Sequence, residues 1–548
     1  MKWHIQSTSA LQNLEELKLV LLKNRMIHKP VDFFKGVSPF NISLQDLGID
    51  SEELAKIKDR LLVAQGKNEK IIVFGDYDAD GITATATLWQ FLHAKKYQVF
   101  PFIPHRLRHG YGLSVKALTD LLQDHPDVSL IITVDNGIVA HEALKFLKDK
   151  KIDVIITDHH QKDEQKLEAL AVFHSSQVCG CAVAWFLAKE LSDQEDQKLL
   201  TRLLALVAIA TVTDLMPLLS INRFLLMYGL AVLKANANLG LSQLFSLAKI
   251  DPNKIDAYTL GFQIGPRINA MGRLADGMDA LRLLCTKDQK KALALSNLLK
   301  NTNEDRQNLT ITLTKQAEEI VAQETAEKII FLDSPEYHEG IIGLIAGKMT
   351  EKFSKPSIVI SRGAEISKAS ARSLDGFNIT EFIRLFKEYL LEVGGHPLAA
   401  GFALKTENIN PLKKAMQAKA KELLAEQNLE KTLSIDAVLS PQLLSLETNE
   451  LIDEFSPFGL ANPKPVFVLQ KIVLKNYKLL GKEQEHLKLT VAFTNDQREY
   501  EVLAWYRADL IKHLSLGAQF DLAVSLDVNS YRGVDKLQLI FRDYKILD

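Results

Sequence analysis

Ile71-Ile72-Val73-Phe74-Gly75-Asp76-Tyr77-Asp78-Ala79-Asp80-Gly81 carries an apolar run straight into three carboxylates. Four consecutive apolar residues without polar alternation suit a strand buried on both faces, as in a parallel sheet. The same pattern recurs downstream in Val99–Ile103, Leu130–Val134 and Val154–Thr157, with helix-like segments Thr83–Ala94, Ser114–Gln123 and Val139–Leu147 between the runs. Alternation of this kind predicts βαβ units, hence an α/β domain with a twisted parallel sheet covered by helices.

Around this block the character of the chain changes several times. Leu187 to Ala248 is rich in Leu and Ala at helical spacing, and Lys290–Glu327 is polar, nearly free of Gly and Pro, and reads as a long connecting helix. A second α/β segment opens with Ile329–Leu332 and continues through Ser357–Ile360 to Leu404. From about Thr432 the pattern shifts to short alternating runs, Leu487–Phe493, Tyr500–Trp505 and Phe520–Leu526, which predict a small β barrel. At 548 residues the chain is too long for one core, so several domains are expected.

Composition sets limits on function. No apolar run reaches the ~18–20 residues a bilayer crossing needs, and Met1–Lys18 turns polar at once, unlike a signal peptide. A cytoplasmic protein without membrane association is the expectation. Three cysteines, Cys179, Cys181 and Cys285, without a CxxC pair, argue against a disulfide framework. His174, Cys179 and Cys181 lack a fourth ligand for structural zinc, and the thiols read as small buried hydrophobes. The net charge of −2 means that any nucleic-acid binding must concentrate positive charge in a groove.

Three of the expected strands end in similar chemistry: Asp76, Asp78 and Asp80 after the first, Asp135-Asn136-Gly137 after Leu130–Val134, and Asp158-His159-His160 after Val154–Thr157. In open parallel sheets, ligands sit beyond the carboxyl ends of the strands, so the three segments should converge there. A single Asp in this position ordinarily caps the next helix, and Asp80 is placed to do so. Three carboxylates within five residues are different. Two carboxylates ~5 Å apart repel by ~3 kcal/mol at an effective dielectric near 20, and a divalent cation removes that cost.

Carboxylates with imidazole and no thiolate suit Mn²⁺ or Mg²⁺, and this many ligands can hold two ions, as in phosphodiester hydrolysis. Asp214, at the end of the apolar run Ala208–Thr213, is a further candidate ligand. A Walker loop, a GxGxxG after the first strand and a GxSxG elbow are all missing from the sequence.

These segments together resemble the DHH phosphoesterase superfamily, and within it the RecJ family of bacterial single-strand-specific exonucleases. Further matches are Pro104-His105-Arg106, Gly110–Ser114, Gly265–Arg273, His338–Gly343, Ser370–Ser373 and Gly394–Gly401, in family order from about residue 60 to 470. The resemblance implies an N-terminal segment 1–60, a DHH catalytic domain 61–285, a connecting helix 286–327, a DHHA1 domain 328–430 and an OB-fold domain 431–548. It implies 5′→3′ hydrolysis of single-stranded DNA by two metal ions in repair and recombination. Asp78, Asp80, Asp135, His159 and Asp214 would be metal ligands, with Asp76 an outer one and His160 beside the scissile phosphate.

Arg106, Arg267, Asn269, Arg273, Ser370, Arg372, Ser373 and His396 fall in the matched segments and are the substrate-binding candidates. Among them, Arg106, Ser370, Arg372 and Ser373 are suited to a terminal 5′-phosphate. In the OB domain, Trp505, Tyr506 and Tyr531 could stack on bases or fill the core. A monomer is expected, with a single-strand-binding protein and a helicase as candidate partners. Two departures stand out: the segment after His160 is short, and Gly459-Leu460-Ala461-Asn462-Pro463 replaces a glycine-richer turn. Alternatives are a DHH phosphodiesterase of short oligonucleotides or cyclic dinucleotides, and a non-catalytic DNA-binding scaffold.

Overall fold

The computed structural model describes residues 1–110, 112–323, 327–424, 431–496, 498–531 and 533–547. Tyr111 of the Gly110–Ser114 motif and the side chain of Tyr531 lie outside this description. The chain divides into two units, one of Ser38–Met216 with Phe224–Leu429, the other of Met1–Val37 with Pro217–Arg223 and Glu430–Asp548.

The larger unit begins with a five-stranded sheet in the order Val99–Phe102, Lys70–Phe74, Val128–Val134, Asp153–Asp158, Ala171–His174. Every neighbouring pair is parallel. Ile72, Phe74, Ile131 and Ile156 pack with Leu118, Leu121, Leu144 and Leu147 from helices Val115–Asp124 and His141–Asp149. Helices Ala79–Ala94 and Gly180–Glu190 also cover the sheet, and Ile71 and Val73 are equally buried. Burial on both faces is why these strands read as continuous apolar runs, each Ile or Phe contributing roughly 1.5–3 kcal/mol.

The expected connecting helix is Gln289–Gln323. Its buried residues, among them Ala292, Ser296, Leu299, Asn303, Thr310, Leu313, Ala317 and Val321, recur every three or four positions on either side of one gap between Asn303 and Thr310, a buried stripe on a polar helix. It packs along the Gly265–Leu274 helix and the Ile342–Phe353 helix. The second sheet runs Leu390–His396, Ala399–Lys405, Ile366–Arg372, Ser357–Ser361, Ile330–Ser334, with only the last pair parallel.

In the smaller unit, His486–Phe493, Glu499–Ala504, Val534–Ile546, Gln519–Tyr531 and Phe467–Leu480 form a five-stranded barrel closed by pairing of the first with the last. Ala437–Leu439 and Ala10–Leu11 extend the sheet, and Lys2–Ile5 pairs in parallel with Thr432–Ile435. Leu17, Leu21 and Phe33 share one core with the barrel residues Leu487, Val502, Phe520 and Leu539. A single N-terminal segment 1–60 is therefore corrected. Residues 1–37 belong with the barrel, whereas helix Ser51–Gly66 belongs with the parallel sheet, where its Glu53 accepts from Val172 N–H and its Arg60 pairs with Asp153. Pro217–Arg223 likewise leaves the 61–285 block for the barrel unit.

Buried arginines fasten that arrangement. Arg223, fully buried, donates to the carbonyls of Phe33, Phe455 and Ser456. Arg25 donates to Asp436 and to Asn462 Oδ1, while Asn462 donates to the carbonyls of Phe455 and Pro457. The Gly459–Asn462 turn closes without the extra glycine because Ala461 itself adopts φ 61°.

Candidate active site

The first loop is held chiefly by backbone hydrogen bonds. Asp78 caps the Ala79–Ala94 helix, accepting from Gly81 N–H at 2.9 Å, so the cap is Asp78 and not Asp80. Asp76 accepts from Tyr77 N–H at 2.8 Å. Asp80, in the first turn of the helix and buried, accepts from Gly180 N–H and Cys181 N–H, both at 2.7 Å. It thus sits at the positive end of the Gly180–Glu190 helix, which stabilises its anionic form. A Cβ on Gly180 would lie 2.4 Å from Asp135 Oδ1, so only glycine lets that helix approach.

Asp135 takes the left-handed conformation, φ 62°, with its N–H bonded to Thr157 O at 3.0 Å. This reverses the chain at the strand end and keeps the side chain in the cluster. Asn136 ties the neighbouring strand ends, donating to Val134 O at 2.9 Å and Phe74 O at 3.4 Å. Asp158 does not join the ligand atoms. It accepts from Ile138 N–H at 2.9 Å, from His159 N–H at 2.7 Å and from His160 Nδ1 at 2.7 Å, fixing both histidines and the loop after Asp135.

His159 Nε2 lies 3.1 Å from Asp135 Oδ1, 3.7 Å from Asp214 Oδ2 and 3.8 Å from Asp80 Oδ2. Although 3.1 Å apart, His159 Nε2 and Asp135 Oδ1 are both buried without a hydrogen-bond partner. Ligand atoms each ~2.1 Å from a common ion stand ~3–4 Å apart, which is the spacing seen here. Three overlapping groups have ligand atoms within 4.8 Å of one another: Asp80, His159 and Asp214; Asp135, His159 and His160; Asp76, Asp78 and Asp135. The donor set is oxygen and imidazole with no thiolate, which fits Mn²⁺ or Mg²⁺.

The electrostatics point the same way. Burial, then the neighbouring carboxylates, push Asp76 up to about 8, Asp80 to about 7 and Asp214 to about 9, and hold Asp135 well above the carboxylate range. Without a cation these acids cannot all ionise together. Burial and the His160 charge lower His159 to about 4, keeping it a neutral donor. His160 is raised to about 9: burial opposes its charge, but the hydrogen bond and charge of Asp158 outweigh that.

The cysteines take no part. Cys179 lies against Thr211 and Cys181 against Thr87, both buried, and no metal-competent group among the described residues contains a thiol.

Comparison with known proteins follows the same order along the chain. The DHH family N-terminal domain matches residues 70–211, the DHHA1 domain 326–422 and the RecJ OB domain 435–543. The single-stranded-DNA-specific exonuclease RecJ of Haemophilus influenzae is 30% identical over 511 residues, covering 88% of this chain and 88% of the relative. The chain belongs to the RecJ family. The Bacillus subtilis RecJ is 32% identical over 497 residues, 88% of this chain, and the match spans 62% of that longer relative. The crystal structure of RecJ from Thermus thermophilus in complex with Mn²⁺ aligns with a TM-score of 0.82 at 27% identity, covering 100% of this chain and 80% of that one. A corresponding complex with Mg²⁺ aligns with a TM-score of 0.75.

In this RecJ-family chain the expected substrate-binding residues are deployed unevenly. Arg106 lies 5.0 Å over the Tyr77 ring. Arg372 donates to Ser370 Oγ at 3.1 Å and is held below the usual guanidinium range by burial and by Arg106. Arg273, lowered to about 10 by burial, Arg106 and Arg306, donates to Gly340 O at 2.9 Å. Asn269 accepts from Ala79 N–H at 2.8 Å, so its carbonyl oxygen positions the acidic loop. Gly272 lets the same helix press on that loop, since a Cβ there would fall 1.9 Å from Tyr77 O. Ser373 donates to Phe377 O at 2.7 Å, a bond within its own turn. His396 is exposed, and its charge bears on His159.

On the barrel, Trp505 and Tyr506 are 53% and 76% exposed, their rings set edge-on against His486, so neither is a core residue.

Sequence reading missed three positions. Asp158 was visible within its motif, but its role as a brace is set by the reach of its carboxylate. Gly180 and Asn136 offered only a glycine before an apolar helix and an amide before a glycine.

Proposed function

We propose that this chain hydrolyses single-stranded DNA from its 5′ end in the 5′→3′ direction, in DNA repair and recombination. The observation that carries the reading is the buried cluster of Asp80, Asp135, His159 and Asp214, with two ligand atoms unpartnered, in a chain of the RecJ family. Asp78, Asp80, Asp135, His159 and Asp214 would hold two divalent ions, with Asp76 outside them. When bound, such ions supply Lewis acidity at the phosphorus and neutralise charge on the attacking and leaving oxygens.

The chain's own groups do the rest. Asp158 keeps His160 charged with Nδ1 engaged, so His160 stabilises the phosphate oxygens and passes a proton through Nε2. Asn136, Asn269 and the Gly180–Glu190 helix hold the acids in place. Arg106, Arg372 and Ser370 bind the terminal 5′-phosphate, whose extra charge matches guanidinium forks better than an internal phosphodiester does. Trp505 and Tyr506 give bases a stacking surface on the barrel.

The chain is expected to act as a cytoplasmic monomer beside a single-strand-binding protein and a helicase. Among the described residues no single helix is long and apolar enough to cross a membrane. The test follows release of mononucleotides from 5′- and 3′-labelled single strands and from blunt duplex with Mn²⁺, Mg²⁺ or EDTA. Metal-dependent release of the 5′ label from single strands alone is expected. Cleavage that persists in EDTA, or turnover of dinucleotides only, overturns the reading.

A further inference from the structure

The connecting helix carries more than a structural role. Arg306, half-buried on Gln289–Gln323, donates through Nη2 to Asn303 Oδ1 at 3.0 Å, while its buried Nε has no hydrogen-bond partner among the described residues. Arg267, on the helix packed alongside, donates through Nη1 to Gln263 O, and its buried Nε is unpartnered as well. Neither guanidinium forms an ion pair with a carboxylate among the described residues, although such pairs are common elsewhere on this chain, as at Arg60, Arg282 and Arg362.

Half-buried guanidiniums with an unmet donor and no ion-pair partner are costly unless an anion completes them. Their surroundings compound the cost. Arg267 bears on Arg306, Arg306 bears on Arg273, and Arg273 feels Arg106, Arg372 and the acidic Asp78. Burial, with these like charges, holds Arg306, Arg273 and Arg372 below the ordinary guanidinium range; Arg267 is lowered by burial alone, partly offset by Glu304. The five arginines thus form a succession from the connecting helix to the metal cluster, with the terminus-binding set at one end and Arg267 with Arg306 at the other.

We propose that Arg306 and Arg267 form a second phosphate seat, holding an internal phosphodiester of the bound strand apart from both the scissile phosphate and the 5′-terminal one. This rests on the single-strand exonuclease reading above and deepens it. The ligand chemistry is a singly charged phosphodiester: two guanidinium forks without a carboxylate partner can each give a charge-assisted hydrogen bond to one of its two non-bridging oxygens. The seat acts on affinity and strand register, and leaves the reacting atoms alone.

The experiment is equilibrium binding of the full-length chain, in EDTA to prevent cleavage, to a 3′-fluorescent single strand carrying either a 5′-phosphate or a 5′-hydroxyl, across a salt series. Arg306→Gln should weaken binding about tenfold, the worth of one charge-assisted contact. It should make the slope of log K against log salt shallower by about 0.7, one phosphate on a single strand. Both changes should be the same for the two 5′ ends. Arg306→Lys should keep the slope, and Arg267→Gln should match Arg306→Gln, with the double variant adding little.

Wild-type affinity and slope in Arg306→Gln and Arg267→Gln overturn the seat. So does a defect confined to 5′-phosphorylated strands, which would place these residues at the terminus. Should Arg306→Gln fail to fold, Arg267→Gln carries the same comparison. A wild-type chain that binds no single strand removes the underlying reading itself.

Discussion

The two five-stranded sheets of the larger unit pair similar architecture with opposite electrostatics. In the first, every strand is parallel, and the strand ends gather Asp76, Asp78, Asp80, Asp135 and Asp158 at one edge, nearly all buried. In the second, only Ile330–Ser334 and Ser357–Ser361 are parallel, and the end of the central strand Ile366–Arg372 presents Ser370 and Arg372. A parallel sheet collects its carboxyl ends on one side, so short loops can crowd acids there at a repulsive cost that cations relieve. The mixed sheet turns back by hairpins and places hydroxyl and guanidinium groups along a strand. On the proposed reading the first sheet would hold the metals, while Ser370 and Arg372 of the second would hold phosphate together with Arg106 from the first.

The largest effect that could break this division is loss of the acids. Asp80→Ala or Asp135→Ala should lower single-strand cleavage by about a thousandfold or more, the worth of several kcal/mol of charge stabilisation. Affinity for the strand in EDTA should stay near wild type, because phosphate contacts lie elsewhere. Activity within tenfold of wild type in both variants would show that the first sheet does not hold the metals.

Arg372→Ala sharpens the other half. It should reduce kcat/KM on 5′-phosphorylated strands by about 10–100-fold and on 5′-hydroxyl strands far less, as expected for one or two charge-assisted hydrogen bonds. Arg106→Ala should do the same, and the pair should be strongly non-additive. Equal slowing of both substrates would move these residues out of the terminus pocket.

The barrel offers a third contrast, and its fold dictates how to test it. Cutting the chain after Ser434 would strip Leu17, Leu21 and Phe33 of their core partners, so truncation would confound binding with folding. Point changes avoid this, because Trp505 and Tyr506 are exposed. The double change Trp505→Ala, Tyr506→Ala should weaken binding to long strands by about tenfold, from stacking worth ~1–3 kcal/mol per base. Dinucleotide turnover should not change. Lys488, which would add charge to the neighbouring strand, is already paired with Glu501.

The smallest expected effect concerns strain beside the metal cluster. Leu215 follows Asp214 at the helix end with φ 55° and is 70% exposed, where the Leu215 N–H to Val212 O and Met216 N–H to Thr211 O bonds form the cap that usually carries glycine. Leu215→Gly should raise stability by about 0.5 kcal/mol, the relief of a left-handed leucine less the added freedom of the unfolded chain. Denaturant unfolding measures it, and a loss of stability would mean that the leucine packs in solution.

Much of the fold is written locally. Apolar runs of four or five residues separated by amphipathic segments specify buried parallel strands here, and the strands at Ile71, Leu130 and Val154 follow from that pattern within one or two residues. Carboxylates directly after those strands point to a metal cluster, because a divalent cation relieves the repulsion among buried acids that would otherwise take up protons. What periodicity could not reach are pairings between distant segments. Lys2–Ile5 lies beside Thr432–Ile435, and Pro217–Arg223 departs from its helical neighbourhood to join the barrel unit.

The same division holds at the site. Residue types and spacing placed Asp76, Asp78, Asp80, Asp135 and His159 after strands as a donor set suited to a hard divalent ion. Only the tertiary structure decided that Asp78 and not Asp80 caps the helix, because Asp80 is claimed by the N–H groups of Gly180 and Cys181 a hundred residues away. It also decided that Asp158 braces His160 and that Arg306 belongs beside Arg267. Local sequence sets backbone shape and charge, whereas a carboxylate's role depends on which donors fall within 3 Å of it, a distance that only the packed chain defines.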